Sequence, residues 1–170
     1  MNDKIFLIGF MGVGKSTIGK RLAKKLGYKF IDTDQLIESE QGKSINDIFK
    51  DSGESTFRDL ETSALERITD NEIKSVVSVG GGLPCFNNNM EVMNQNGITI
   101  YLQRPAKELF HRLLQGKDKR PLLKGKTEDQ LMDYIESMLN DRSIYYNQAT
   151  ITADREHQSI KSLIELIKSI

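Results

Sequence analysis

The chain has 170 residues, 38% of them apolar and 28% charged, enough for one domain with a substantial core and too few for two independent ones. Lys plus Arg and Asp plus Glu each number 24, so no excess of positive charge marks a binder of nucleic acid or of a membrane surface. The single cysteine, Cys85, excludes an intramolecular disulfide and suits a reducing compartment, where it reads as a structural thiol.

The first apolar run, Ile5 to Gly9, reads as a strand buried on both faces. Gly9, Gly12 and Gly14 punctuate the stretch that follows and Lys15 ends it. A strand and loop explain this better than a secretion signal, and no stretch approaches the roughly 20 apolar residues of a membrane span. The expected location is the cytoplasm. From Lys15 to Leu26, Ile18, Leu22 and Leu26 recur every four residues and Gly27 supplies a C-terminal cap, which predicts a helix. Lys29 to Asp32 is a second strand. Residues Thr33 to Asn71 are too long for one crossover and predict two or three helices.

Ser75 to Val79 and Ile98 to Leu102 are the third and fourth strands, and Thr150 to Ala153 is a weaker edge strand. Gln115 to Lys126, rich in Lys, Gly and Asp, predicts a mobile loop. The run Thr127-Glu128-Asp129-Gln130 matches a capping box, followed by the apolar face of Leu131, Tyr134, Ile135, Met138 and Leu139. A last helix carries Ile160, Leu163, Ile164 and Ile167. Strands alternating with helices in this way predict an α/β fold with a parallel sheet.

Gly9 to Thr17, GFMGVGKST, satisfies the G-x-x-x-x-G-K-[ST] pattern between a strand and an amphipathic helix, the context that confirms a nucleoside-triphosphate phosphate loop. Backbone N–H groups around Gly12, Val13 and Gly14 converge on phosphate oxygens, and the helix N-terminus adds a positive dipole end. Lys15 is placed to reach the β- and γ-phosphates, the Ser16 hydroxyl to ligate Mg²⁺, and Thr17 to approach the α-phosphate.

Beyond the loop the residues leave alternatives open. Asp32 and Asp34, at spacing two, would point to one side of an extended chain. One suits Mg²⁺ through water and the other a substrate hydroxyl, although a turn or helix cap explains such a pair as well. No acidic residue lies in Ser75 to Val79, which makes Asp32 the better metal candidate. Gly80-Gly81-Gly82 leaves backbone amides open beside a ligand site, or is a bare turn. Arg58 with Glu61 at i+3 fits a solvated ion pair as well as a site, and Arg142 fits a surface residue. Arg120, before Pro121 in the predicted loop, suits closure over phosphate.

In order and spacing, GFMGVGKSTIGKRLA (Gly9 to Ala23), FIDTD (Phe30 to Asp34), SINDIFKDSGESTFRDLE (Ser44 to Glu61), VGGG (Val79 to Gly82), RPLL (Arg120 to Leu123) and DRSIYY around Arg142 resemble the shikimate kinases. The resemblance spans nearly the whole chain. It implies a P-loop fold in three layers, with a five-stranded parallel sheet in order 2-3-1-4-5, residues 33–71 as a substrate-binding insertion and residues 115–126 as a lid. It implies Mg-dependent transfer of the ATP γ-phosphoryl group to the 3-hydroxyl of shikimate by a monomer. Asp34, Arg58, Gly81 and Arg142 would hold shikimate, with Gly80 and Gly82 shaping the same turn and the two arginines on the carboxylate. Glu61 would orient Arg58, Asp34 would position the attacking hydroxyl, and Asp32 would hold the water shell of Mg²⁺. Arg120 would meet the ATP phosphates, and Arg112 is the candidate for stacking on adenine, with Lys117 or Lys119 as substitutes. Asp154 to Gln158 would also lie near adenine. A gluconate-type sugar-acid kinase, a nucleoside-monophosphate kinase and a noncatalytic nucleotide-binding module are the rival readings.

Overall fold

A computed structural model of the chain describes residues 3–115, 123 and 125–170. The expected strands form one five-stranded parallel sheet: β1 (Lys4–Ile8), β2 (Lys29–Asp32), β3 (Ser75–Ser78), β4 (Ile98–Leu102) and β5 (Ile151–Ala153), in the order β2-β3-β1-β4-β5. The central strand β1 alternates its side chains between two layers, as the pleat requires. Ile5 and Leu7 join one hydrophobic cluster and Phe6 and Ile8 another, all four fully buried. Each such burial is worth about 1.5–3 kcal/mol, which makes β1 the anchor for the loop that follows it.

The first layer comprises α1 (Lys15–Leu26), α5 (Ala106–Leu114), α6 (Glu128–Tyr146) and α7 (Ile160–Lys168). The second comprises α3 (Ile45–Asp70) and α4 (Asn89–Asn96), and Tyr146, the last residue of α6, also reaches it. Helix α1 ends where expected, on Gly27 at φ 71°, whose N–H donates to the Ala23 carbonyl. Helix α6 begins on the expected box: Thr127 accepts from the Gln130 N–H, and the Gln130 side chain accepts from the Thr127 N–H. The sequence reading passed over α4, α5 and a short 3-10 turn, Leu83–Cys85.

The stretch from Thr33 to Asn71 resolves into α2 (Thr33–Gln41) and α3, which kinks at Gly53 (φ 80°). These pieces pack on each other around Ile37, Ile48, Phe57 and Ala64. No helix among the described residues is long and apolar enough to cross a membrane.

Where β4 enters beside β1, the two backbones touch. A Cβ at Gly97 would lie 2.5 Å from the Lys4 carbonyl oxygen and 2.9 Å from its Cβ. Gly97→Ala must therefore push β1 aside. The expected loss is about 1–3 kcal/mol, read as a lower midpoint in thermal unfolding followed by circular dichroism.

Candidate active site

The loops that follow β1 and β3, neighbours in the sheet, open at its carboxyl end, where α/β sheets bind ligands. They border a cavity of about 530 Å³ lined by Gly12, Gly14, Lys15, Ser16, Thr17, Asp32, Asp34, Gly80, Gly81 and Arg112, among others. The phosphate loop depends on glycines at Gly9, Gly12 and Gly14, with φ of 139°, 80° and 107°, values that L side chains rarely adopt. No side chain caps α1 at Gly14, so the N–H groups of its first turn face the cavity as an anion socket. Lys15 Nζ bridges the loop, donating to the Gly9 and Phe10 carbonyls at 2.7 and 3.0 Å. Val13 contributes only backbone here, because its side chain is buried in the core.

Asp32 ends β2, and Ser78 is its register partner on β3. The Ser16 hydroxyl donates to Asp32 Oδ2 at 2.7 Å and lies 3.3 Å from the Ser78 hydroxyl. Asp32 also caps α2, its Oδ1 accepting from the Asp34 and Gln35 N–H groups. The two aspartates share the cavity, but not by extended spacing. Asp34 lies in the first turn of α2, and the helix start, not the pleat, turns its carboxylate inward. Burial raises its pKa, and the charge of Asp32 adds to the rise against the pull of Lys15.

Of the triplet's three amides, the structure ties down that of Gly80. The Gly80 N–H donates to the Thr33 hydroxyl at 2.9 Å, and none of the three glycines has a positive φ. They are glycines because of what surrounds them. A Cβ at Gly80 would stand 2.8 Å from both Asp34 Oδ1 and Glu61 Oε1; at Gly81, 3.1 Å from Arg142 Nη1; at Gly82, 2.6 Å from Arg58 Nη1. Three elements thus deliver two arginines and two carboxylates to one short turn: α2, α3 and α6.

The surface readings of Arg58 and Arg142 give way to partly enclosed ones. Arg58 Nη1 donates to Glu61 at 2.6 Å, and Glu61 is only 1% exposed. The guanidinium also bonds Glu54 and lies 4.2 Å over the Phe86 ring. Arg142 lies over the Phe10 ring at 5.5 Å.

A phosphate loop and, bordering the same cavity, a glycine turn packed against two guanidinium groups fit a kinase for a small anionic acceptor, and comparison with known proteins decides which. The shikimate kinase family model matches residues 11–170. The chain belongs to the shikimate kinase family. A shikimate kinase of Azobacteroides pseudotrichonymphae is 43% identical over 162 residues, covering 95% of each chain. Among solved structures, the shikimate kinase of Bacteroides thetaiotaomicron superposes with a TM-score of 0.91 at 40% identity, over 97% of this chain and 98% of that one. One from Acinetobacter baumannii, in complex with shikimate, gives a TM-score of 0.86 at 34% identity, over 98% and 93%. The chain is therefore an ATP-dependent shikimate kinase, a phosphotransferase with an alcohol acceptor.

Within this shikimate kinase, Arg112 on α5 donates to the Gly12 and Val13 carbonyls at 3.1 Å each, so it braces the phosphate loop at the cavity rim. Arg120, with Lys117 and Lys119, lies outside the described residues, as does most of the expected 115–126 lid. Asp154 and Arg155 line a separate pocket with Arg104 and Glu108. Sequence reasoning missed Thr33 and Ser78, and it named Tyr146 only as a neighbour of Arg142. Thr33 sat between two aspartates and Tyr146 one turn beyond an arginine, which are the signals that single them out.

Burial pushes the Glu61 carboxyl up to about 7; Arg58 opposes this, Asp34 adds to it, and Arg142 opposes it. A raised acid pKa means that the fold retains a proton which the unfolded chain releases near the ordinary value of 4.5. Glu61 therefore contributes stability below pH 4.5 that is lost as pH rises through about 7. Relative to Glu61→Gln, the unmutated protein should lose melting temperature across that window and level off above it, in unfolding scans at stepped pH.

Proposed function

We propose how the described residues carry out this transfer. The observation that supports the reading is that the glycine turn packed against Arg58 and Arg142 borders, through Gly80 and Gly81, the same cavity as the phosphate loop. ATP lies with its phosphates in the loop, held by the N–H groups of Gly12 to Thr17 and by Lys15, with Arg112 at the rim. Lys15 exchanges its two carbonyl acceptors for phosphate oxygens and spreads the charge that develops during transfer.

Shikimate lies against the triplet, its carboxylate on the forks of Arg58 and Arg142 and its hydroxyls toward Asp34. Glu61 fixes the Arg58 fork without touching the substrate. Asp34, its pKa raised by burial, orients the 3-hydroxyl for in-line attack and takes up its proton. Gly80, Gly81 and Gly82 let these groups approach, and residues 33–71 form the acceptor wall; by the resemblance Arg120, outside the described residues, would meet the phosphates.

The oxygens at the phosphate end fit a hard cation. Ser16, Asp32 and Ser78 put hydroxyl and carboxylate donors side by side. Among the described residues no group of three or more His, Cys, Asp or Glu forms a dedicated cage, which suits an ion bound mainly by phosphate oxygens and water. Ser16 would hold Mg²⁺ directly and Asp32 through water. Mg²⁺, when bound, neutralises the phosphate oxygens. The protein works as a monomer in the cytoplasm on small-molecule substrates, without nucleic acid or membrane.

ADP release measured by a coupled assay should depend on shikimate and not on gluconate or AMP; absence of shikimate-dependent turnover sinks the reading. Lys15→Ala should cut kcat about a hundredfold or more with the fold intact by circular dichroism. Arg58→Lys keeps the charge beside Glu61 and removes the fork. The shikimate KM should rise about tenfold while the ATP KM stays level, and equal changes would contradict the carboxylate role.

A further inference from the structure

The glycine turn has no side chains of its own with which to hold its shape, so its backbone must be fixed from outside. Two hydroxyls do this. From one wall, fully buried Thr33 accepts the Gly80 N–H at 2.9 Å. From the opposite wall, the fully buried Tyr146 hydroxyl donates to the Gly81 carbonyl at 2.6 Å. The Tyr146 ring packs on Tyr101 at a centroid distance of 5.0 Å, which sets its direction.

Each hydroxyl sits on an element that also delivers a proposed acceptor contact. Thr33 opens α2, immediately before Asp34. Tyr146 closes α6, one turn after Arg142. The two bonds fall at successive residues of the same turn, the N–H of Gly80 and the C=O of Gly81. Together they tie the Asp34 wall and the Arg142 wall to one short piece of backbone.

We propose that Thr33 and Tyr146 are positioning residues for the acceptor: through Gly80 and Gly81 they set the distance and orientation between Asp34 and Arg142. The inference rests on the acceptor site described under the proposed function. Bulk packing does not explain the pair. A phenylalanine would fill the space of Tyr146 without the desolvation that a buried hydroxyl must offset by bonding. Burial, the largest influence, raises the Tyr146 pKa, so the phenol keeps the proton it donates throughout the working pH range.

The test removes each hydroxyl with little change of shape, in Tyr146→Phe and in Thr33→Val, with Thr33→Ser as the hydroxyl-restoring control and Arg142→Ala in parallel. Shikimate KM, ATP KM, kcat and melting temperature are measured for each. Tyr146→Phe and Thr33→Val should each raise the shikimate KM about tenfold and leave the ATP KM within about twofold, the range within which loss of one loop-remote hydrogen bond leaves the nucleotide site. Thr33→Ser should return the shikimate KM to the unmutated value. A purely structural role would lower the melting temperature and leave KM unchanged in the folded variants, and that result overturns the proposal. If Tyr146→Phe does not fold, the Thr33→Val and Thr33→Ser pair decides by the same criterion. An effect of Arg142→Ala without one from the hydroxyl variants overturns this inference alone. No effect from any variant, Arg142→Ala included, overturns the acceptor site itself.

Discussion

The charged groups gathered on the turn after β3 depend on the absence of three β-carbons. Asp34, Glu61, Arg142 and Arg58 reach within 2.6–3.1 Å of where Cβ atoms would stand on Gly80, Gly81 and Gly82. Arg58 and Glu61 can come so close to backbone because they pair with each other, and Asp34 because it faces the cavity. Glu61, almost fully buried, is tolerated beside Asp34 because the Arg58 guanidinium lies 2.6 Å away. Replacing any one glycine by alanine would strike these charges, and their mutual arrangement would have to yield. The triplet thus has a steric role, and its φ values do not call for glycine.

Much of the frame was legible because strand and helix periods were strong. The β2 and β4 limits, the α1 limits and the Thr127 capping box follow from apolar runs, four-residue spacing and cap chemistry. Helix α4 was harder. Its eight residues, NMEVMNQN, are mostly polar and bury only Asn89, Met90 and Met93, which leaves no stripe to read. Helix α5 does carry the spacing, in Leu109 and Leu113, and was there to be read.

The phosphate loop could be read locally because its chemistry is contiguous in sequence. The gathering at the glycine turn could not, since α2, α3, the β3 loop and α6 supply it from residues 34 to 142. Residue by residue, Arg58 and Glu61 at i+3 look the same on a wet helix and beside a buried turn. Tertiary packing alone distinguishes them. Asp34 lines the cavity with Asp32, but by another local route than extended spacing, because Asp32 caps the helix whose first turn holds Asp34. The fastening hydroxyls of Thr33 and Tyr146 are marked locally only by their charged neighbours, since each finds its partner far along the chain, 47 and 65 residues away.

The lysine of the phosphate loop carries one more consequence. Lys15 already holds the Gly9 and Phe10 carbonyls, so it acts as an internal brace that keeps the loop in its curved form. In the proposed mechanism, nucleotide capture is then an exchange of one set of oxygen acceptors for another on a preorganised frame. Little ordering entropy is charged against affinity at that moment. Under that mechanism the same residue sets a lower bound on the ligand: an incoming group must outcompete two well-placed carbonyl oxygens, which favours densely anionic phosphates over weaker acceptors.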